Sequence, residues 1–526
     1  MAIPKICGIE TEYGIQIRGS ESNPILASSL LISSYVAATS KKSDAQGIKW
    51  DFCDEQPAVD ARGYSYEDSF APEIESHLVN AVLTNGARYY VDHAHPEIST
   101  PECRTALEVL AFDCSAEEII RRSMKLAQPF LGPQSEMVLY KNNSDGKGNS
   151  YGCHENFLVS RDVPFGRLVA QITPHFVTRQ IFAGAGKVGC EIPGVSEREV
   201  PYQISQRADF FEEEVGLETT LRRPIVNTRD EPHCDPQKYR RLHVIVGDAN
   251  MSQTATLLKV GTTSLILAMI EDEALPVDLS LAHAVPAIRQ VSYDLTLRQT
   301  LLLRDGRRMN ALDIQWALLE MASKYSISHG LDCLGGEEDG EQILRLWETV
   351  LNGLSSEPES VAHLVDWVAK KRLVDGYSQR HDLQPGDSRL KAIDLQYHDM
   401  REEKCLALRV GLDQIVTDEQ IQRGVTEPPD STRAFFRGKC LERWPDQVIS
   451  ANWDSMVFEV DKGPLRRVPM MEPMRGSKEL VGHLFDSATS LGEFRTNICG
   501  VAPLYLGLRL LGASQGRSLA YHDWHG

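Results

Sequence analysis

Residues 87–103, ARYYVDHAHPEISTPEC, gather Asp92, His93, His95, Glu97 and Glu102 on one short segment. Tyr89-Tyr90-Val91 is aromatic and β-branched, which predicts a strand over 87–92. Pro96 cannot donate to a ladder, so the chain is expected to leave the sheet there. Asp92 then stands at a strand's end, where a rigid scaffold can hold a carboxylate open to a cleft. A solvated turn carrying incidental acids is the competing reading of this segment taken alone.

Upstream, residues 6–14 read ICGIETEYG. Side chains on a strand alternate between faces, so Glu10 and Glu12 share one face while Ile9, Thr11 and Tyr13 occupy the other. Two carboxylates on one face repel unless a cation lies between them, and Mg²⁺ prefers such hard oxygen ligands, often shared with the phosphates of a nucleotide. Downstream, residues 150–157, SYGCHENF, set His154, Glu155 and Asn156 side by side after the Gly-rich 145–148, DGKG. Residues 240–250, RRLHVIVGDAN, predict a strand with His243 inside an apolar run. A lone histidine there is more often a satisfied core residue than a ligand, but four acid- and imidazole-bearing segments in one chain favour a site.

With these segments, YKNNSDGKGNSYGCHEN, RDEPHCDPQKYRRLHVIVGDAN, LQYHD at 395–399, TRAFFRG at 432–438 and WDS from Trp453 resemble the Pup ligase and depupylase family. That family belongs to the carboxylate-amine ligase superfamily, related to glutamine synthetase. The resemblance runs in order from residue 5 to residue 490. It implies an α+β fold: a glutamine synthetase-like curved, mainly antiparallel sheet packed with helices, plus a smaller C-terminal domain. It implies ATP and Mg²⁺ as cofactors, with the small acidic prokaryotic ubiquitin-like protein Pup and pupylated proteins as partners. Residue by residue, it makes Asp92 the catalytic group, as nucleophile or as base for the attacking water. Glu10, Tyr90 and Glu97 match metal positions, with Glu12, His154 and His243 as further ligands. Arg88, Thr100, Trp453, Asn156 and Arg241 match nucleotide contacts, and Arg433 matches an anion or substrate contact. Ile98 stands where the family often has Tyr, a departure that bears on packing.

Within that family, hydrolysis must be separated from ligation. Residues 41–76, KKSDAQGIKWDFCDEQPAVDARGYSYEDSFAPEIES, are charged, interrupted by Gly and Pro, and non-periodic, so they are expected to form a long mobile loop near Asp92. The resemblance ties this insertion, and the run His93-Ala94-His95-Pro96-Glu97, to the depupylating members. The expected activity is hydrolysis of the isopeptide bond between Pup and substrate lysines, and deamidation of the C-terminal Gln of Pup to Glu, without obligatory ATP turnover. The rivals are a Pup-protein ligase, against which the insertion argues, and a non-catalytic nucleotide-binding regulator of the Pup system, which would have lost the aspartate.

Composition agrees with an enzyme of the cytoplasm. Eleven cysteines occur among 526 residues without a C-x-x-C pair, which speaks against a zinc ribbon or a disulfide framework. A formal charge of −19 opposes nucleic acid. An acidic tag would need a local basic groove, with Arg222-Arg223, Arg240-Arg241 and Lys370-Lys371-Arg372 as candidates. Thr254–Ile270 is apolar but holds Lys259 and Gly261 and runs into Glu271-Asp272-Glu273, so it reads as a buried helix and no membrane span is expected. Residues 184–189, GAGKVG, match G-x-G-x-x-G, but the loop-like CEIPG that follows opposes a dinucleotide fold. Further strands are expected near 5–17, 154–160 and 241–247, and helices over 106–128, 253–271, 310–327 and 340–353. The Pro-rich TEPPDS at 426–431 marks a boundary between a large catalytic domain, 1–425, and a small C-terminal domain, 426–526.

Overall fold

The acid-bearing segments lie side by side in one sheet of the computed structural model, which describes residues 1–21, 23–53, 55–63, 78–459, 463–488 and 493. The first strands are β1 (Cys7–Glu12), β2 (Gly14–Arg18), β3 (Ile48–Trp50), β4 (Asn80–Val82), β5 (Arg88–Asp92), β6 (His95–Ser99), β7 (Glu136–Tyr140) and β8 (Cys153–Ser160). The main sheet has ten strands, in the order Tyr239–Val244, β8, β1, β6, β5, β4, β3, Val448–Ala451, Ser455–Phe458 and Arg466–Pro469. Neighbours are antiparallel except β3 with Val448–Ala451. The sheet is curled; the main cores and their helices cover one face, while helices Ala434–Arg443 and Lys478–Ser487 pack against the other at β3 and β4.

Strand alternation decides what the face of the main cores receives. Cys7, Ile9, Cys153, Phe157, Val159, Leu242 and Val244 enter the main core, while Tyr89, Val91 and Ile98 join a second core with helix α1 (Pro24–Thr39) and helix α2 (Ala106–Ala127). Their neighbours in sequence point the other way. The open face is therefore lined by Glu10, Glu12, Tyr90, Asp92, Glu97, His154, Asn156, Arg241 and His243, the polar half of each alternation. Ile98 is 1% exposed and fills core where a tyrosine would need a partner for its hydroxyl.

Pro96 does not end the sheet. β5 and β6 form a hairpin in which Asp92 pairs with His95 and Val91 with Pro96. The ladder tolerates the proline because the Val91 N–H is turned away to the Val79 carbonyl, so none is required of residue 96 across the hairpin. On its other side the Pro96 carbonyl accepts from Tyr13, just beyond the end of β1. His93 makes the turn with φ 51°, a left-handed conformation unusual for a residue with a side chain.

The reading of 41–76 as one loop is also corrected. Residues 48–50 are a strand that joins β4 to Val448–Ala451, and Trp50 is only 4% exposed. The alternation here spans three residues, too short a run to register as a period. Residues 64–77 lie outside the described residues.

The expected helices form at Ala106–Ala127, Gln253–Glu271, Ala311–His329 and Glu337–Ser356. Ser252 caps the second of these by accepting from the Ala255 N–H at 3.1 Å. It is apolar and long enough to cross a membrane but is wholly buried. Its Lys259 is accommodated by the Asp248 carbonyl, 2.6 Å away. Gly261 allows close approach, since a Cβ would come within 2.6 Å of Ile343. Gly184 follows a four-residue helix, Gln180–Ala183, and precedes a two-residue strand, so GAGKVG has no dinucleotide-binding frame. A further cluster joins Phe435, Phe436, Leu441, Met456 and Phe485 to Ile48, Trp50 and Val82 across β3.

Candidate active site

Two adjacent groups on the open face can each hold a cation: Glu10 with His154 and His243, and Glu12 with Asp92 and Glu97, the ligand atoms of each lying within 4.8 Å of one another. β1 supplies one carboxylate to each group, because residues two apart share a face. Glu12 and Glu97 are direct register partners across β1 and β6. Glu97 is 2% exposed. Burial raises its pKa well above the usual carboxylate value, and the negative charges of Asp92, Glu12 and Glu10 raise it further. A divalent cation is the partner that lets this set ionise together.

Asn156 organises the first group. Its Nδ2 donates to Glu10 Oε1 at 2.7 Å, while its Oδ1 accepts from Arg241 at 2.9 Å and from His243 Nδ1 at 3.0 Å. His243 therefore carries its proton on Nδ1 and turns the Nε2 lone pair outward. Burial lowers its pKa well below the ordinary value, reinforced by Arg241, His154 and Arg229 against the pull of Glu10. A neutral imidazole is the form that binds metal. Glu10 is held ionised: burial alone would raise its pKa, but His154, His243 and Arg241 lower it more.

The second group is fixed from both sides. Gly152 donates its N–H to Glu12 Oε1 at 2.7 Å, and a Cβ on that glycine would fall 2.3 Å from His154 Nε2 and 2.8 Å from Glu12 Oε1. His95 Nδ1 lies 3.3 Å from Glu12 Oε2, its ring tilted against Tyr151. Asp92, at the hairpin tip, keeps a quarter of its side chain exposed and lies 3.0 Å from His93 Nδ1. Tyr90 stays a neutral phenol, its pKa raised by burial and by Glu97 and Glu10.

Beside Glu10 opens a cleft with about 590 Å³ of empty space, lined by Thr100, Asn156, Arg241, Arg433 and Trp453 as well as by Ile6, Gly8, Leu158, Pro232, His233 and Pro473. Thr100 Oγ1 accepts from the Ile9 N–H at 3.0 Å. Trp453 meets the edge of Trp50 at 5.1 Å. Arg88 lies between Trp50 and Tyr90, 4.1 Å from each ring, and outside the lining of the cleft.

A family model described as Pup-ligase protein matches residues 5–457. The chain belongs to the Pup-ligase family. It is 45% identical to a depupylase of Acidothermus cellulolyticus, over 94% of this chain and 99% of that one. It is 43% identical to a Pup deamidase/depupylase of Mycolicibacterium smegmatis, over 93% and 98%. A Pup–protein ligase of Acidimicrobium ferrooxidans is 39% identical over 78% of this chain and 90% of its own. Among solved structures, the ligase PafA in complex with Pup aligns at TM-score 0.76 with 32% identity, over 98% and 99% of the two chains. PafA in complex with ADP aligns at 0.69 with 35% identity, over 81% and 90%.

In this Pup-ligase family member, Glu10, His154 and His243 come together in one group and Glu12 and Glu97 join Asp92 in the other, while the Tyr90 hydroxyl feels the charges of Glu97 and Glu10. Two acids flagged in the sequence do not join them. Glu102 is clamped by Arg433 Nε at 2.7 Å and by Arg437. Burial alone would raise its pKa, but Arg437 and Arg433 pull it down to about 2. Glu155 faces the core and pairs with Arg179 at 2.6 Å. Arg433 lines the cleft, with its donors engaged by Glu102 and by the His233 and Met470 carbonyls. Sequence reasoning missed two arginines. Arg207 is 1% exposed and donates to Ser150 and the Ile245 carbonyl, and Arg229 makes no ion pair among the described residues while acting on His243 and Arg241. Arg207 lies in a segment with no motif, and Arg229 opens the quoted run RDEPHCDPQKYRRLHVIVGDAN without standing out in it.

Proposed function

We infer that the chain is a depupylase and Pup deamidase, a hydrolase that cleaves the isopeptide bond between Pup and substrate lysines and converts a C-terminal Gln of Pup to Glu. The observation that carries this reading is Asp92, an accessible carboxylate that belongs to one of two adjacent cation-binding groups, the other of which meets the cleft at Glu10. Full-length likeness to proteins named depupylase favours hydrolysis over ligation. An isopeptide and a glutamine side chain are the same functional group, a γ-carboxamide, so one site serves both reactions.

Glu10, Glu12 and Glu97, with His154 and His243, would hold Mg²⁺, and ATP would lie in the cleft over Thr100 and against Trp453, its phosphates toward Glu10. Bound cations would supply positive charge at the reacting carbonyl, and the anionic phosphates would help to hold those cations. Asp92 attacks that carbonyl or takes the proton of the attacking water. Arg207, which acts on Glu12, and Arg229, which acts on His243, would add positive charge near the developing oxyanion. Over the cycle one water is added: the carbonyl carbon gains its oxygen, and the departing lysine amine or ammonia takes the proton. Amide hydrolysis is downhill, so ATP serves as a bound cofactor and is not consumed in proportion to product. The protein works in the cytoplasm, on pupylated proteins.

Incubation with Gln-ended Pup and with a pupylated protein, each with ATP, with a non-hydrolysable analogue and without nucleotide, tests the reading. Release of ammonia and of free substrate protein with ATP, and in part with the analogue, is expected. ATP consumption matched by new isopeptide bonds would make the chain a ligase.

A further inference from the structure

The cleft proposed to hold the nucleotide has two chemically different ends. Glu10, Asn156 and the guanidinium of Arg241, which reaches to 3.9 Å from Glu10, line one, while Ile6 and its ladder neighbour Leu158 line the other with Pro232 and Pro473. Ile6 and Glu10 are separated by four steps of one extended segment, roughly 13 Å, close to the span between the base and the terminal phosphates of a nucleotide. Cys234 packs with Ile6 and Leu158, which places His233 at the apolar end. A nucleotide whose phosphates meet Glu10 therefore lays its base against His233.

His233 is held in place. Its φ is 48°, and its carbonyl accepts from Arg433 Nη1 at 2.8 Å. The ring is 16% exposed, and neither ring nitrogen makes a hydrogen bond among the described residues; Glu231 Oε2 lies 3.8 Å from Nε2. Glu231 itself accepts from the Gln56 N–H and lies 3.5 Å from Arg241 Nη2, so it is a fixed carboxylate. Its field favours the tautomer with the proton on Nε2, which leaves Nδ1 as a lone-pair acceptor. Burial pulls the imidazole pKa down to about 3, with Arg241, Arg433 and Arg88 opposing Glu231. The ring is neutral at any pH where the protein works.

We propose that His233 selects the base of the bound nucleotide: Nδ1 accepts from the exocyclic amine of adenine and repels the carbonyl oxygen that guanine carries at the same position. The proposal rests on the cleft being the nucleotide site. Sites that hydrogen-bond a ligand group discriminate strongly against an analogue lacking it, because the buried partner is left unpaired.

Calorimetric titration of the full chain with MgADP and MgGDP tests it. The wild type is expected to bind MgADP at least about tenfold more tightly than MgGDP. His233→Leu should weaken MgADP several-fold, bind MgGDP at least as tightly as the wild type does and so abolish the preference. Leucine is strained at a left-handed φ, so His233→Asn, which tolerates that region, serves as second variant. Its amide can turn either oxygen or nitrogen to the base, and the two nucleotides should bind within about threefold. An unchanged preference in a variant that melts like the wild type would overturn the assignment, as would equal weakening of both nucleotides or a wild type without preference. A wild type that binds neither nucleotide would instead overturn the nucleotide reading of the cleft, and this proposal with it.

Discussion

Glu12 and Glu97 stand directly opposite one another across the β1–β6 ladder, both buried. Like charges in that register destabilise a sheet, so the fold gives up stability to hold two carboxylates ready for a cation. Without a cation Glu97 resists ionisation, and Glu97→Gln should remove the cost of burying an acid beside Glu12. Its melting temperature in EDTA is expected to rise by a few degrees above the wild type, while the gain on saturating with Mg²⁺ shrinks. Fluorimetric melts with and without Mg²⁺ check this; a wild type indifferent to Mg²⁺ would refute a cation at Glu97.

Asp92→Asn keeps the shape of the hairpin tip and removes the charge. Cleavage of a pupylated substrate is expected to fall by at least about a thousandfold, with nucleotide affinity unchanged, because the cleft does not include Asp92. Steady-state turnover with calorimetry on the same preparation separates the two. Substantial residual cleavage would remove Asp92 from the reaction.

Asn156→Ala deletes the hub that orients Glu10 and His243. Such outer-sphere partners of metal ligands are worth about 10–100-fold in affinity or activity. The Mg²⁺ concentration for half-maximal activity should rise within that range while the melting temperature in EDTA moves little.

How much of this was legible follows from the reach of each pattern. Glu10 and Glu12 declared their shared face by spacing alone, and Thr254–Ile270 declared itself a buried helix by being interrupted at Lys259 and Gly261 and running into Glu271-Asp272-Glu273. Pro96 misled because its strand role depends on which way the Val91 N–H points, a property of the partner strand. Ile48–Trp50 has too few residues to show alternation and is specified by Val82 and Ala451, far away in the chain. Arg207 has no local signature and Arg229 does not stand out in the run it opens; only the fold brings them to Glu12 and His243. Glu102 looked like a ligand only until Arg433 and Arg437, more than three hundred residues on, closed around it.

That clamp makes a pH prediction. Glu102 has a folded pKa of about 2 against an ordinary 4.5. A lowered folded pKa contributes stability that is fully present above pH 4.5 and is lost as the pH falls through the folded value. The contribution is on the order of 3 kcal/mol. Arg437→Met should cost about 3–5 kcal/mol near neutrality, because it leaves a buried acid half-paired, and should flatten the loss of stability between pH 4.5 and 2. Urea unfolding at stepped pH measures both; parallel pH profiles for wild type and variant would exclude the clamp as their source.

The last prediction separates a strand from a loop in the 41–63 segment. Trp50 donates to Glu55 at 2.6 Å, meets Trp453 edge-on and stacks beneath Arg88. Lys49, next to it, points to solvent. If the segment were mobile, replacing either residue would leave stability unchanged. As part of the sheet, Trp50→Ala should cost about 3–5 kcal/mol and Lys49→Ala less than about 0.5 kcal/mol. Trp50→Ala should also weaken MgADP binding several-fold, since Trp453 loses the ring that fixes it against the cleft. Chemical denaturation and calorimetry on the two variants decide the matter. Equal stability of both would return residues 48–50 to the loop.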